Sequence, residues 1–115
     1  MVAESDGRFS QFRKGAVELA ILALLHAGEA YGGEIVERLG VHPGLAISAG
    51  TVYPLLSRLK RAGLIDSVWR ESPVGPPRKY YSLSREGAAE FAEMAAAWVG
   101  VTVAMDALLG KEGAR

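Results

Sequence analysis

Cysteine is missing from this chain of 115 residues. Its absence excludes disulfides, thiol-based redox sensing and zinc sites built on cysteine. The two histidines, His26 and His42, lie far apart in different contexts, and no group of histidine and carboxylate residues has the spacing of metal ligands. We therefore expect no metal and no other cofactor.

A catalytic constellation is missing as well. The sequence contains no recognisable set of nucleophile, base and orienting residue, and no glycine-rich phosphate loop. Glu90 and Glu93 are expected on the outside of a helix, where solvation explains them more simply than acid–base catalysis. The sequence therefore does not indicate an enzyme.

The net charge is zero, since 13 basic residues balance 13 acidic ones. The balance hides a strong asymmetry along the chain. Residues 1–47 carry a net charge of −2, residues 48–85 of +5 and residues 86–115 of −3. Because the local field governs attraction to phosphates, the middle segment is the candidate nucleic-acid-binding region.

No uninterrupted run approaches the ~18 apolar residues of a membrane-spanning helix. Arg13 and Lys14, placed ahead of the apolar segment Leu19–Leu25, resemble a secretory signal peptide. Glu18 interrupts that apolar segment, however, and the residues that follow form one continuous pattern with it. We therefore expect a cytoplasmic protein that does not contact the membrane.

Helical periodicity predicts three elements outside the basic segment. The first helix starts at about residue 9 or 14 and ends at His26, after a polar and frayed stretch over residues 1–8. The second runs from the Tyr31-Gly32-Gly33 sequence to Leu39. The last covers residues 85–109, with Ser84 as a helix N-cap. It carries two apolar rows, more than one short bundle can cover, which favours a homodimer.

Residues 48–83 combine a helix with a β-hairpin. Val52, Leu55, Leu56 and Leu59 form one apolar stripe with helical spacing. Two strand-like runs over residues 64–69 and 79–83 flank a turn rich in proline and glycine. A helix with a small, polar and basic outer face, followed by a hairpin with a basic tip, predicts a winged helix-turn-helix.

The predicted fold class is therefore mainly α with a small β-hairpin. We expect residues 1–84 to form the winged helix-turn-helix domain, including the N-terminal helix, and residues 85–115 to form a C-terminal dimerisation helix.

The outer face of the third helix supplies most of the candidate DNA contacts. Short hydroxyls near its start can reach base edges or phosphates, and arginine can bind guanine through two hydrogen bonds. The alternatives are that Ser48 is only an N-cap, that the arginines form a solvated face and that Tyr53 is half buried in the core. The candidates are Ser48, Thr51, Tyr53, Ser57, Arg58 and Arg61.

Arg78 and Lys79 open the second strand of the hairpin, where a wing meets the phosphate backbone. As positioning contacts they would add affinity with little sequence reading. The alternative is an ordinary charged hairpin edge. Tyr80 and Tyr81 point to opposite faces of the sheet, so one of them is expected in the core.

Several motifs together resemble the PadR family of bacterial transcriptional regulators: YGGEI at 31–35, GTVYPLLSRLKRAGLI at 50–65, Trp69 in the first hairpin strand and PRKYYSLSREG at 77–87. The resemblance covers about residues 12–110. It implies a dimer joined through its last helices, and repression by operator binding that a small molecule often relieves. The short last helix resembles the smaller subgroup, which includes the lactococcal multidrug-binding regulator.

Two positions depart from the family pattern. The family commonly has tyrosine where this chain has Gly33, so an aromatic group near the second helix is absent. It also commonly has arginine where Pro76 stands, which removes a basic contact from the wing. We expect DNA binding to survive the first departure, whereas the second obscures which wing residues touch the backbone.

Trp98 lies in the middle of the last helix. Facing its symmetry mate across a gap, it would form a slot for a planar aromatic molecule, with Ala95 and Thr102 beside it. Its position in the helix is similar to that of the tryptophan that stacks drugs in the lactococcal relative. The alternative is a dimer-interface anchor without a cavity.

The sequence thus predicts a DNA-binding transcriptional regulator, a homodimeric repressor released by a small-molecule effector. The alternative is a dimer that binds a small molecule or a protein and keeps this fold without operator binding.

Overall fold

The computed structural model describes the backbone of residues 2–110 and the side chains of residues 12–110. The elements follow in the order α1 (Val2–Ala27), β1 (Ala30–Tyr31), α2 (Gly32–Gly40), α3 (Ala49–Arg61), β2 (Ile65–Arg70), β3 (Arg78–Leu83) and α4 (Arg85–Leu109), with a 3-10 turn over Pro43–Leu45. The predicted fold class is confirmed: the chain is mainly helical, with a β-hairpin wing between α3 and α4.

α1 begins earlier than the sequence predicted. The expectation of a frayed stretch over residues 1–8 is wrong from Val2 onward, while Met1 lies outside the described residues. Each residue added to a formed helix gains one hydrogen bond without a new nucleation cost.

The sheet has one strand more than predicted. The wing strands β2 and β3 lie within one residue of their expected bounds, and β1 pairs with β3 to give the order β1-β3-β2, antiparallel throughout. Ala30 pairs with Tyr81 and Tyr31 with Tyr80. A strand of two residues is too short to give a recognisable periodicity in the sequence. Its pairing nevertheless holds the start of α2 against β3.

The core lies between α1, α2, α3 and the sheet. All four residues of the apolar stripe predicted on α3 are buried, and Tyr81 is the buried member of the tyrosine pair. The other buried apolar residues are Val17, Ile21, Leu22, Leu25, Ala30, Ile35, Leu39 and Ile65. The outer side of α3 is thereby turned to solvent.

Pro54 lies inside α3 without ending the helix. Proline has no N–H to donate to the carbonyl four residues back, which belongs to Gly50. Gly50 is exposed and has no Cβ, which eases local adjustment of the helix at this position.

α4 is fixed to the domain at its first turn. The Ser84 hydroxyl accepts a hydrogen bond from the Gly87 N–H at 2.9 Å and donates one to the Gly63 carbonyl at 2.7 Å, which confirms Ser84 as the N-cap. Gly87 is buried, and a Cβ there would overlap the Leu64 carbonyl oxygen. Phe91 and Met94 then pack on the core.

The second half of α4 leaves the domain. Val99, Val101 and Leu108 are at least half exposed, and none of the helix's most apolar stretch is buried in the chain. By length and composition alone this helix could cross a membrane. The helix has this character because alanine and valine with very few charges give it a high mean hydropathy without one unbroken apolar run.

Candidate nucleic-acid interface

The outer face of α3 carries the predicted contact residues into solvent. Ser57, Arg58 and Arg61 are exposed, Tyr53 is 43% exposed and Thr51 is half-buried. The interpretation of Tyr53 as a core residue therefore applies to only part of its ring. This face is what α3 would present to the major groove of DNA.

Ser48 occupies the N-cap position of α3, but its side chain makes no capping hydrogen bond. Its main-chain carbonyl accepts from the Thr51 N–H at 3.0 Å and the Val52 N–H at 3.1 Å. Because Ser48 is exposed, its hydroxyl remains free to reach a ligand. The N-cap alternative thus describes its backbone and not its side chain.

An open groove of about 450 Å³, here called the wing groove, lies on one side of the exposed face of α3. α3 contributes Tyr53 and Ser57, and the wing contributes Arg78 and Lys79. The remaining lining residues are Tyr31, Gly32, Gly33, Trp69, Pro77 and Tyr81. Both predicted wing cations thus share a groove with two of the predicted contact residues of α3.

A second open groove, of about 420 Å³, lies on the other side of the same face and is here called the α1 groove. It is lined by Thr51, Arg58 and Arg61 of α3 together with Lys14 of α1. Its other lining residues are Gly50, Pro54 and Leu55. Lys14 was not among the predicted contacts, because its sequence position gives no indication that α1 approaches α3.

These two grooves give α3 the electrostatic surroundings of a recognition helix. A helix in the major groove, which is about 12 Å wide, has a phosphate backbone on either side. Here the exposed face of α3 lies between two basic grooves, one supplied by the wing and one by α1. Arg58 and Arg61, together with Lys14, on one side and Arg78 and Lys79 on the other would thus lie near the two backbones.

Aromatic rings hold the wing cations in place. The Arg78 guanidinium lies 4.3 Å from the centroid of the Tyr31 ring, and the Lys79 ammonium lies 5.7 Å from that of Trp69. Contacts of this kind restrict the cations while leaving their donors available to a phosphate. Both cations line the wing groove, and their contact with phosphate stays a prediction.

The start of α2 brings its backbone close to α3. A Cβ on Gly32 would lie 2.5 Å from Cε1 of Tyr53, so only glycine allows the ring to rest there. The Tyr31 N–H donates to the Glu34 carboxylate at 3.3 Å, which closes the first turn of α2. Gly32 was missed as a site residue, since its role depends on a residue 21 positions away.

Residues 21–93 match the sequence model of the PadR-like family of transcriptional regulators. The chain belongs to this family. A transcriptional regulator of Mycobacterium tuberculosis is 35% identical over 83 residues, which cover 72% of this chain and 76% of the relative.

Solved PadR-like structures share the whole architecture. One from Bacillus cereus superposes with a TM-score of 0.78 at 35% identity and covers 87% of this chain and 97% of its own. One from Bacteroides fragilis gives a TM-score of 0.73 at 40% identity, with coverage of 86% and 95%. The PadR winged-helix fold, including a C-terminal helix, is thus established for this protein.

The PadR-like chain also holds a smaller apolar cleft of about 190 Å³ beside Trp98. Trp98, 49% exposed, faces Leu45 and the α1 residues Ala16, Leu19, Ala20 and Ala23 of its own chain. Ala95 and Thr102 lie one turn before and after Trp98 and do not line this cleft. The tryptophan is therefore already half covered within one protomer.

No cluster of metal-ligating side chains occurs within the described part of this PadR-like protein. The ring of His26 packs at 4.8 Å from that of Phe91, so this histidine joins α1 to α4. His42 lies at the end of α2, and Glu90 and Glu93 are exposed on α4. Transcriptional regulation, the activity of the family, requires none of them as catalysts.

Proposed function

We propose that this protein is a homodimeric repressor that reads an operator with α3 and grips the flanking phosphates with its wing. The observation that carries the proposal is the placement of the exposed face of α3 between two basic grooves. In this proposal residues 1–84 form the DNA-binding domain and residues 85–115 the dimerisation helix.

The proposed contacts divide into two classes. Ser48, Thr51, Tyr53, Ser57, Arg58 and Arg61 project from α3 toward base edges or the nearest phosphates. Arg78 and Lys79 bind phosphates and set the position of the protein on the duplex. Contacts of the first class determine sequence preference, and those of the second supply salt-dependent affinity.

The uncovered apolar surface of α4 supports the proposed homodimer. Val101 and Leu108 are 50% and 80% exposed, and burial of apolar surface stabilises by about 25 cal/mol per Å² removed from water. A second α4 related by twofold symmetry would cover these side chains with their own copies, an arrangement typical of closed dimers. A dimer buried in this way also fits a location in the cytoplasm, away from the membrane.

We further propose that the protein belongs to the smaller PadR subgroup and responds to a planar aromatic effector at Trp98. The apolar cleft between Trp98 and α1 supports this proposal, since a flat ring inserted there would contact the indole and small alanine side chains. Ala95 and Thr102 would complete the site only from the dimer-facing side of α4.

The decisive experiment is titration of a promoter fragment from upstream of the protein's own gene. The wild-type protein should bind with a steep salt dependence, and a triple Arg58→Ala, Arg61→Ala, Lys79→Ala variant should lose that binding. An unchanged affinity of the triple variant would contradict the proposed DNA-binding surface of α3 and the wing. Absence of DNA binding by a well-folded dimer would favour a protein that keeps the fold but binds only small molecules or proteins.

A further inference from the structure

One acidic side chain interrupts the apolar part of α1. Glu18 lies among Val17, Leu19 and the residues up to Ala27, and its side chain is only 14% exposed. The carboxylate oxygen that faces α3 is shielded from solvent. Placing a charged group there is costly unless an opposite charge compensates it.

Arg58 of α3 supplies that charge. Its Nη2 forms an ion pair with Glu18 Oε2, the one ion pair of Glu18 in the described structure. The arginine side chain remains 54% exposed and lines the α1 groove beside Lys14 and Arg61. Arg58 therefore touches a shielded carboxylate on one side and the proposed DNA surface on the other.

Another ion pair among the described residues differs in its surroundings. Arg70 pairs with Glu29 at the end of β2 next to the wing turn, where the two side chains are 51% and 37% exposed. Such surface pairs hold their partners weakly because water competes for both charges. The shielded carboxylate of Glu18 gives Arg58 a more strongly preferred position than Arg70 has.

An arginine whose position is restricted by a carboxylate is suited to reading a base. The guanidinium is planar, and its donors lie in a fixed fork. Recognition of guanine needs two of these donors aligned with O6 and N7. The contact of Nη2 with Glu18 restricts the position of the guanidinium and leaves its other donors for a further partner.

We propose that Glu18 is a positioning residue for DNA recognition, and that it orients Arg58 toward a base edge and away from phosphates. This inference rests on the proposed function, since it assumes that α3 reads DNA. The inference has two consequences for binding. Glu18 increases the difference in affinity between DNA sequences, and its negative charge lowers the general attraction of the groove for phosphate.

The test uses two duplexes, one selected by the wild-type protein from a randomised library and one with the same composition but a scrambled sequence. Glu18→Gln should weaken binding of the selected duplex about threefold to tenfold, the cost of ordering one long side chain. It should leave binding of the scrambled duplex unchanged or tighter. Glu37→Gln, which removes an exposed carboxylate from α2, is the matched charge control and should not alter the ratio of the two affinities.

A double-mutant cycle separates positioning from folding. In an Arg58→Ala background, Glu18→Gln should no longer change the ratio of the two affinities, because the arginine that it orients is gone. An equal loss in both backgrounds, or an equal weakening of both duplexes, overturns the inference. Failure of the wild-type protein to select any sequence overturns the proposed function as well.

A second variant covers the case in which Glu18→Gln unfolds at the assay temperature. Glu18→Asp keeps the charge but shortens its reach by one methylene, so the contact with Arg58 is lengthened or lost. The ratio of affinities should then fall in a protein that thermal melting shows to be folded. An unchanged ratio for Glu18→Asp together with an unfolded Glu18→Gln assigns Glu18 a purely structural role and overturns the inference.

Discussion

Replacing Lys79 with glutamine offers a quantitative test of the wing contact. Lys79 lies in the wing groove, opposite Trp69 in the β-ladder, and its ammonium is held near the face of that ring. Lys79→Gln removes the charge and keeps most of the side-chain length. Because a phosphate contact carries no sequence information, affinity for selected and scrambled duplexes should fall by the same factor.

The size of the effect follows from counterion release. Each phosphate contact contributes about 0.9 to the slope of log affinity against log salt concentration. Two protomers on one operator would therefore lose about 1.8 from the slope when Lys79 is replaced. Over a fourfold rise in salt, the wild-type protein should lose roughly 12-fold more affinity than the variant.

Fluorescence anisotropy with a labelled duplex at about 50 and 200 mM salt measures both quantities. Lys60→Gln is the matched control, since Lys60 is an exposed lysine of α3 that lines neither groove. Its slope should stay close to that of the wild-type protein. Equal slopes for wild type and Lys79→Gln, or equal reductions for both variants, would refute the assignment of Lys79 to a phosphate.

Three further outcomes are expected. Gly87→Ala should destabilise the fold by about 1–3 kcal/mol in thermal unfolding because its Cβ overlaps the Leu64 carbonyl, whereas Gly100→Ala meets open space and should be neutral or stabilising. Burial, together with the nearby Tyr53 hydroxyl, raises the pKa of Tyr81 above its ordinary 10.0. The stability that the protonated Tyr81 contributes is therefore complete below pH 10 and is lost as pH rises through the raised pKa. Tyr81→Phe should reduce this alkaline loss of stability, measured as melting temperature against pH. A planar aromatic molecule that enters the cleft should quench Trp98 emission and release the operator. Trp98→Phe is the control, because its remaining emission comes from Trp69 alone. If no flat aromatic molecule quenches the emission, Trp98 serves only as an anchor of the dimer interface.

Local patterns in the sequence were sufficient to predict α3 and the start of α4. The stripe from Val52 to Leu59 has a clear helical period, and its members are all buried. Ser84 had the composition and position of an N-cap, and its hydroxyl caps α4. In each case the signal and the structure involve residues within about two helical turns, so no knowledge of tertiary contacts was needed.

The grooves themselves could not be predicted, because distant segments form them. Lys14 and Glu18 reach α3 only after α1 packs across it, some 40 positions away along the chain. The two-residue β1 was missed for the same reason, since its partner strand lies about 50 positions later. Gly32 belongs to this group too, since only the packed structure places Tyr53 against it.

The packing of α1 relates the DNA-reading face to the Trp98 cleft. Glu18 turns toward Arg58, whereas Ala16 and Ala20, two residues to either side, lie roughly 160° around the helix and line the cleft with Trp98. One helix therefore contacts α3 on one side and α4 on the other. A ligand at Trp98 can alter DNA binding only if it prefers one arrangement of these helices over another. α1 lies between the two regions, so the proposal predicts that a ligand which displaces α1 also shifts the ion pair between Glu18 and Arg58; an unchanged environment of Arg58 on ligand binding would contradict this coupling.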